Sequence, residues 1–208
     1  MNTTSTHYRT FAEALYHALE QDAFYVTLEN SVANPDRRKQ AMLDYLEFSM
    51  LEAKQYGRLY IPEKHEYGVS VWNIPQTAAI ESTIKQEKMQ FLLEKMGSAS
   101  AECYQKIVAE MSRNTSKVVH EDAWYLSIVG VRPEFQNKGL GADLIIPVLK
   151  EADASGKQTY LETFGTRNQT FYGRLGFETI ALYFEPNTQS DYWVMSREPG
   201  SSETGGQS

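Results

Sequence analysis

The chain has 208 residues, of which 41% are hydrophobic and 23% are charged, and these proportions are typical of a soluble globular protein. The net charge of −7 argues weakly against nucleic acid as a partner, because phosphate binding needs clustered Lys and Arg side chains. The single cysteine, Cys103, excludes an intrachain disulfide, no apolar run is long enough for a membrane span, and the N-terminal residues lack the apolar segment of a secretory signal. We therefore expect a cytoplasmic protein that contacts no membrane.

The first half of the chain is predicted to be mostly helical. Apolar residues at helical spacing, among them Phe11 and Leu15, predict a first helix over about residues 8–22, followed by a loop that extends to about residue 35. The patterns that follow predict a helix over 36–56, two strands over 58–62 and 67–74, and two helices within 77–116 that break near Gly97. No recognisable catalytic signature occurs in this half.

Strands and helices alternate in the second half. The apolar pattern predicts a strand over 124–131, from which a turn and a glycine-bearing loop lead into a helix over 142–154. The remaining patterns predict a strand over 159–163, a short helix over 168–175, and strands over 177–184 and 192–197. The tail over 199–208 is rich in Gly and Ser and is predicted to be disordered. No linker or repeat separates the halves, so we predict one α/β domain over residues 1–198.

The most informative segment runs from Val131 to Ala142, where a strand leads through a loop with two glycines, Gly139 and Gly141, directly into a helix. This arrangement directs several backbone N–H groups and the positive end of the helix dipole at one place, and Lys138 adds a positive charge. Two glycines alone also fit an ordinary strand-to-helix turn. A nucleotide P-loop is excluded because Lys138 precedes Gly139, and a dinucleotide fingerprint is excluded because Leu144 stands where its third glycine should be.

Two signatures together resemble the GNAT superfamily of N-acetyltransferases. The coenzyme A loop of that superfamily reads Gln/Arg-x-x-Gly-x-Gly/Ala after a strand that ends near Val-x-Pro, and this sequence has Gln136-Asn137-Lys138-Gly139-Leu140-Gly141 after Val131-Arg132-Pro133. Downstream, Asn168 and the run from Phe171 to Phe177 resemble the second signature. Within the superfamily the sequence is similar to the puromycin N-acetyltransferases over about residues 121–200. Asn137 departs from the usual Gly, but Asn is the next most tolerant residue of a left-handed backbone.

The resemblance implies a GNAT fold, in which helices flank a mixed central β-sheet and two splayed strands form the cleft for the co-substrate acetyl-coenzyme A. The strand residues Val129, Gly130 and Val131 would pair with pantetheine through their backbone, and Gly130 would keep one face of the strand clear. The family's usual first strand is not visible before the first predicted helix. The pyrophosphate would be bound by the loop residues Gln136, Asn137, Lys138, Gly139, Leu140, Gly141 and Ala142.

Two side chains are candidates for the chemistry. The resemblance implies that Tyr172 lies near the sulfur of coenzyme A and acts as general acid, whereas the alternative is an aromatic side chain that only packs on the sheet. Glu162 lies on a predicted strand beside apolar residues, where burial of a carboxylate has a cost. It would serve as the base, bind a cationic acceptor or form a salt bridge. Asn168 would hydrogen-bond pantetheine, cap the helix, or do both.

The other titratable candidates are His65 and His120, of which His120 is expected to be a solvated loop residue. No His, Cys or Asp cluster has the spacing of metal ligands, so no metal is predicted. These features predict an N-acetyltransferase that moves an acetyl group to a primary amine of a small molecule, such as an antibiotic or an aminonucleoside, in a monomer or homodimer. The alternatives are a protein acetyltransferase that acts on Lys or an N-terminus, and a non-catalytic acyl-coenzyme A-binding sensor.

Overall fold

The computed structural model describes residues 3–63 and 66–200. The helices of this part are α1 (Thr3–Ala18), α2 (Ala23–Asn30), α3 (Arg38–Tyr56), α4 (Ala78–Lys95), α5 (Ser98–Thr115), α6 (Leu140–Ala154) and α7 (Thr166–Gly173). Its strands are β1 (Arg58–Tyr60), β2 (Gly68–Asn73), β3 (Trp124–Val131), β4 (Thr159–Thr163), β5 (Glu178–Glu185) and β6 (Ser190–Arg197). Short 3-10 turns at Pro35–Arg37 and Pro133–Phe135 precede α3 and the loop before α6.

The strands form one mixed sheet in the order β1-β2-β3-β4-β6-β5. Every neighbouring pair is antiparallel except β3 and β4, which run parallel. The predicted bounds of β3 and β4 are confirmed by the structure, and the mixed sheet between helices confirms the predicted fold class.

The two parallel strands separate after a short contact. They pair only from Trp124 opposite Thr159 to Leu126 opposite Leu161, and β3 then continues for five residues without β4 beside it. Over those residues β3 stays paired with β2 on its other side. A wedge therefore opens between β3 and β4, and this confirms the predicted splayed strands.

Helices cover both faces of the sheet. On one face α1 and α3 pack against β2 and β3, in a core that includes the fully buried Phe11, Leu15 and Val69. On the other face α6 packs against β2 and β3 through residues such as Ile145. At two buried glycines of the sheet, the neighbouring strand or helix lies too close for a side chain.

Gly130 shows this close approach directly. A Cβ atom at this position would lie 2.7 Å from Leu15 Cδ2 and 3.1 Å from Ala18 Cβ of α1. The expectation that Gly130 keeps one face of β3 clear is therefore wrong, because α1 occupies that face. The missing side chain lets α1 lie against the strand that forms one edge of the wedge.

The structure also corrects the predicted loop between the first two helices. The first helix ends at Ala18 instead of residue 22, and the segment expected to be a loop contains α2. The Asp22 carboxylate caps α2 by accepting a hydrogen bond from the Phe24 N–H at 3.0 Å. The α2 sequence is short and rich in aromatic and β-branched residues, which lose side-chain freedom in a helix, and so it gives little helical signal.

The remaining differences are small. Helix α7 begins at Thr166, two residues earlier than predicted, and β1 ends at Tyr60, within the usual uncertainty of element ends. At the start of the predicted tail, the Gly200 N–H donates to Asp153 Oδ1 at 2.8 Å, and the rest of that tail lies outside the described residues. Within the described part, no helix combines the length and the apolar character needed to cross a membrane.

Candidate active site

A cavity of about 1790 Å³ lies in the wedge between β3 and β4. One side of it is formed by β3, the loop before α6, β4 and α7, which are the elements that carry the two sequence signatures. The other side is formed by the connection between α1 and α2 and by α2, α3, α4 and α5. The structure thus brings both halves of the chain together around one site.

The loop before α6 has the geometry of an anion-binding turn. Asn137 has φ of 60° and Gly139 has φ of 79°, so both adopt the left-handed backbone, as the sequence predicted that Asn137 could. Gly139 is the N-cap of α6, whose first N–H groups have no carbonyl partner one turn earlier. The Gln136 side-chain N–H donates to the Val131 carbonyl at 3.0 Å and ties the loop to the end of β3.

The two glycines of the loop have different surroundings. A Cβ atom on Gly139 would meet nothing within 4 Å, so open space lies beside this backbone. A Cβ atom on Gly141 would lie 3.1 Å from Phe171 Cζ, so this glycine lets α6 pack closely on α7. The open cradle at Gly139, next to the positive end of a 15-residue helix, fits a phosphate-bearing co-substrate.

Most of the predicted cofactor residues line the cavity, but two do not. Lys138 Nζ donates to the Glu134 carbonyl at 3.0 Å and lies 5.3 Å from the centroid of the Phe135 ring, outside the cavity wall. Ala142 also lies outside the wall. The predicted residues that do line the cavity are Val129, Gly130, Val131, Gln136, Asn137, Gly139, Leu140, Gly141, Asn168 and Tyr172.

Tyr172 is packed on the sheet side of the cavity and also lines it. It is 8% exposed, and its ring makes edge contacts with Phe171 and Phe177. Burial raises the pKa of its phenol well above the usual range, and the negative charge of Asp22 raises it further. Within the described part of the chain, no hydrogen-bond partner holds the Tyr172 hydroxyl, which leaves this proton available to a ligand.

Glu162 lies on β4, and both of its carboxylate oxygens are held by hydroxyl groups. Tyr125 Oη donates to Oε2 at 3.0 Å, and Thr115 Oγ1 donates to Oε1. Burial raises the pKa of the Glu162 carboxyl, while these two hydrogen bonds oppose the rise. The carboxyl group therefore lines the cavity, and its hydrogen bonds also link β4 to α5 and to β3.

The structure also tests the positions predicted for Asn168 and for the two candidate histidines. The cap of α7 is Gly165, so Asn168 lies in the first turn and the prediction that it caps the helix is wrong. Its side-chain N–H donates instead to Thr163 Oγ1 at 3.1 Å. His120 is an exposed loop residue at the cavity wall, as expected, and His65 lies outside the described residues.

Several groups on the helical side of the cavity have no signal in the sequence. Lys88 Nζ lies 2.9 Å from Glu52 Oε2 in a buried ion pair, and Lys88 also lies over the Tyr45 and Phe48 rings. Burial lowers the pKa of Lys88 and raises that of Glu52, and the ion pair opposes both shifts. Asp22 lines the cavity as well. Aromatic side chains contribute much of the remaining wall: Phe24, Tyr25, Tyr45, Tyr104, Tyr125 and Tyr160.

The described residues were also considered as ligands for a metal ion. Among the described residues, no group of three or more His, Cys, Asp or Glu side chains could hold a metal ion. The groups that line the cavity include carboxylates, phenols and ammonium groups.

Comparison with known protein families agrees with this geometry. Residues 90–179 match the family model described as the acetyltransferase (GNAT) domain. Over these residues the chain is similar to the GNAT acetyltransferase domain. The matched segment contains β3, the loop before α6, β4 and α7, and hence Glu162 and Tyr172, whereas Asp22 and Glu52 lie outside it.

Solved structures share the fold over nearly the whole chain. A Corynebacterium glutamicum protein described as histone acetyltransferase HPA2 and related acetyltransferase has a TM-score of 0.62 at 18% identity, covering 95% of this chain and 94% of its own. Arylalkylamine N-acetyltransferase 2 from Aedes aegypti has a TM-score of 0.56 at 18% identity, covering 92% and 95%. At such low identity the likeness shows the common fold. The family match over residues 90–179 is what supports an acetyl-coenzyme A-dependent N-acetyltransferase.

Proposed function

We propose that this protein transfers the acetyl group of acetyl-coenzyme A to a primary amine of a small molecule. The observation that carries the proposal is the wedge between β3 and β4, which joins an anion-binding turn at one end to a cavity with a buried phenol and carboxylates. A thioester held along this wedge would bring its acetyl group to the cavity. An amine that enters from the helical side would meet it there.

The backbone provides the binding site of the co-substrate in this proposal. The N–H groups of residues 138–142 bind the pyrophosphate, and the edge of β3 from Val129 to Val131, which has no β4 partner, pairs with pantetheine. A backbone N–H of this strand polarises the thioester carbonyl, as a preformed donor does for a developing oxyanion. Asn168, at the cavity wall near the end of β4, is a further partner for pantetheine.

Tyr172 is the proposed general acid. The high pKa of its buried phenol keeps the proton on the oxygen at neutral pH, and the same water-poor surroundings make a thiolate more basic. Glu162 acts at the acceptor side, as the base or as a binding group for the cationic amine. Its two hydroxyl partners are compatible with either role, because a carboxylate has lone pairs for more than two donors.

A compact acceptor with an apolar or aromatic body fits the cavity best. Its wall is rich in tyrosine rings, which bind apolar surface and cations alike, and the resemblance over residues 121–200 adds aminonucleosides of the puromycin type. We include in the proposal a single domain over residues 1–198, a monomer or homodimer, and a cytoplasmic location, which the lone cysteine favours.

Competition between acceptor classes tests this proposal. The protein is incubated with acetyl-coenzyme A and an equimolar mixture of aminonucleosides, aryl-substituted alkylamines, and peptides with a Lys or a free N-terminus, and the products are identified by mass spectrometry. We expect acetylation of one or more of the small amines. Preferential acetylation of peptides would support the protein acetyltransferase instead, and tight acyl-coenzyme A binding without any product would support the sensor.

A further inference from the structure

Asp22 lies at the junction of α1 and α2 and has an evident structural role. Its carboxylate accepts the backbone N–H groups of Phe24 and Tyr25 and so caps the first turn of α2. A helix cap normally lies at the protein surface, where water solvates the charge. The Asp22 side chain is instead half-buried and lies on the wall of the cavity, where a ligand in the cavity would meet it.

The surroundings of Asp22 connect it to the reacting end of the cavity. Its negative charge acts on the phenols of Tyr25 and Tyr172 and adds to the burial that raises the pKa of both. The carboxylate thus lines the same cavity as the phenol to which we assign the proton of the leaving sulfur. Burial raises the pKa of Asp22 itself from 3.8 to about 6, although two N–H donors oppose the rise.

The other charged groups of the helical walls do not neutralise this carboxylate. Among the described residues, no ion pair or hydrogen bond to a Lys, Arg or His side chain reaches Asp22, and Lys88 on the cavity wall is paired with Glu52. Partial burial of a carboxylate without a cation has a cost, and an ammonium ligand would reduce that cost. The remaining ionisable side chains that these walls contribute are His17, Glu20, Tyr45, Glu81, Lys85 and Tyr104.

We propose that the Asp22 carboxylate receives the acceptor amine, binding it as the ammonium and then taking its proton. This inference rests on the proposed acetyl transfer and adds to it the group that prepares the nucleophile. Glu162 then acts through its hydrogen bonds to Thr115 and Tyr125 and shapes the wall against which the acceptor binds.

Every proton in the proposed acetyl transfer has a donor and an acceptor. The ammonium loses one proton to Asp22, which passes it to solvent, and the neutral nitrogen forms a bond with the acetyl carbonyl carbon. As the C–S bond breaks, the sulfur takes the proton of Tyr172, and the second proton lost by the nitrogen restores the phenol through solvent. The products are the N-acetylated amine, coenzyme A with a free thiol, and one proton.

Asp22→Asn separates this role from capping, because Asn is as good a helix cap as Asp but can neither carry charge nor accept a proton. We expect kcat/KM for the amine to fall by about 10²-fold or more, with a variant that still unfolds cooperatively and binds acetyl-coenzyme A with unchanged affinity. The acidic limb of the pH–rate profile should disappear. Glu29→Gln, which removes one negative charge from α2 outside the cavity, is the matched control and should leave kcat/KM unchanged.

The outcomes distinguish this inference from the proposed function. Asp22→Asn with wild-type kcat/KM and an intact acidic limb would overturn the role of Asp22 while leaving acetyl transfer in place. Loss of that limb in Glu162→Gln but not in Asp22→Asn would assign the base to Glu162. A wild-type protein that binds acetyl-coenzyme A but acetylates no amine would overturn the proposed function itself, and this inference with it. Asp22→Ser, a second capping variant, repeats the test should the Asn variant fold poorly.

Discussion

At the scale of single residues, the two catalytic candidates on the co-substrate side differ in the contacts that hold their reactive atoms. The hydroxyl of Tyr172 is free of protein partners within the described chain, whereas the ring is fixed by Phe171 and Phe177. Glu162 has the opposite arrangement, with its reactive atoms held by Thr115 and Tyr125. The packing and catalytic interpretations of Tyr172 are therefore compatible, because packing positions the ring and leaves the proton for the ligand.

Tyr172→Phe keeps the ring and removes the proton. We expect turnover to fall by roughly 10²–10⁴-fold, the usual contribution of a general acid, with little change in acetyl-coenzyme A affinity. Steady-state kinetics with the best amine, measured where the chemical step limits the rate, gives the answer. Tyr67→Phe is the control, because Tyr67 is equally buried at 8% but lies outside the cavity wall. Equal turnover in both variants would make Tyr172 a packing residue.

Glu162→Gln keeps shape and hydrogen bonding but removes the charge and the proton acceptor. With Asp22 as the base, we expect the Michaelis constant for a cationic amine to rise and the acidic limb of the pH–rate profile to stay. Glu185→Gln is the control, since Glu185 is a fully buried strand carboxylate held by Asn187 and Thr188 away from the cavity. Wild-type turnover and Michaelis constant would leave Glu162 with a structural role only.

At the scale of elements, local sequence predicted the co-substrate side of the site well. The bounds of β3 and β4 were predictable because segments rich in aromatic and β-branched residues lie between turn residues, and the glycines marked the start of α6. Helix α2 was missed because Asp22 lacks the Glu or Gln three residues later that completes a capping box. Its tertiary contacts, such as the fully buried Leu28, stabilise it where propensity does not.

Paired glycine substitutions at the two ends of α6 test the co-substrate turn. Gly139 and Gly156 both have positive φ and open space where a Cβ would lie, so Gly→Ala costs similar backbone strain at each, about 1 kcal/mol. We expect both variants to lose similar stability, but only Gly139→Ala to bind acetyl-coenzyme A more weakly in calorimetry. Equal affinities in the two variants would remove the turn before α6 from the binding site.

The Asp22 cap of α2 should also make the free energy of unfolding depend on pH. Because the folded pKa of Asp22, about 6, exceeds its reference value of 3.8, the folded state takes up this proton before the unfolded state as pH falls. Wild-type stability should therefore rise relative to Asp22→Asn between about pH 7 and pH 4, by at most about 3 kcal/mol. Urea unfolding of both proteins at the two pH values measures this difference. A constant or shrinking difference would contradict the burial of this carboxylate.

At the scale of the whole molecule, the acceptor side of the cavity could not be predicted from the sequence. Glu52 and Lys88 lie on different helices, and Asp22 lies on a third element, so no local spacing reveals that they share one cavity. They meet because α1, packed onto Gly130, brings the helical half against the strand that carries the co-substrate edge. The resemblance to the GNAT superfamily covers about residues 121–200, which form the co-substrate side. It therefore predicted the reaction but not which amine accepts the acetyl group.

In the proposed reaction, one acetyl group passes from the thioester to an amine in this cavity. The most direct measurement follows free thiol and N-acetylated product together, in a reaction with isotopically labelled acetyl-coenzyme A and the best amine of the panel. We expect labelled product and free thiol to appear in equal amounts, and both rates to fall together in Tyr172→Phe by the roughly 10²–10⁴-fold that a general acid contributes. Thiol release without labelled amine, or a rate that does not respond to the amine, would contradict it.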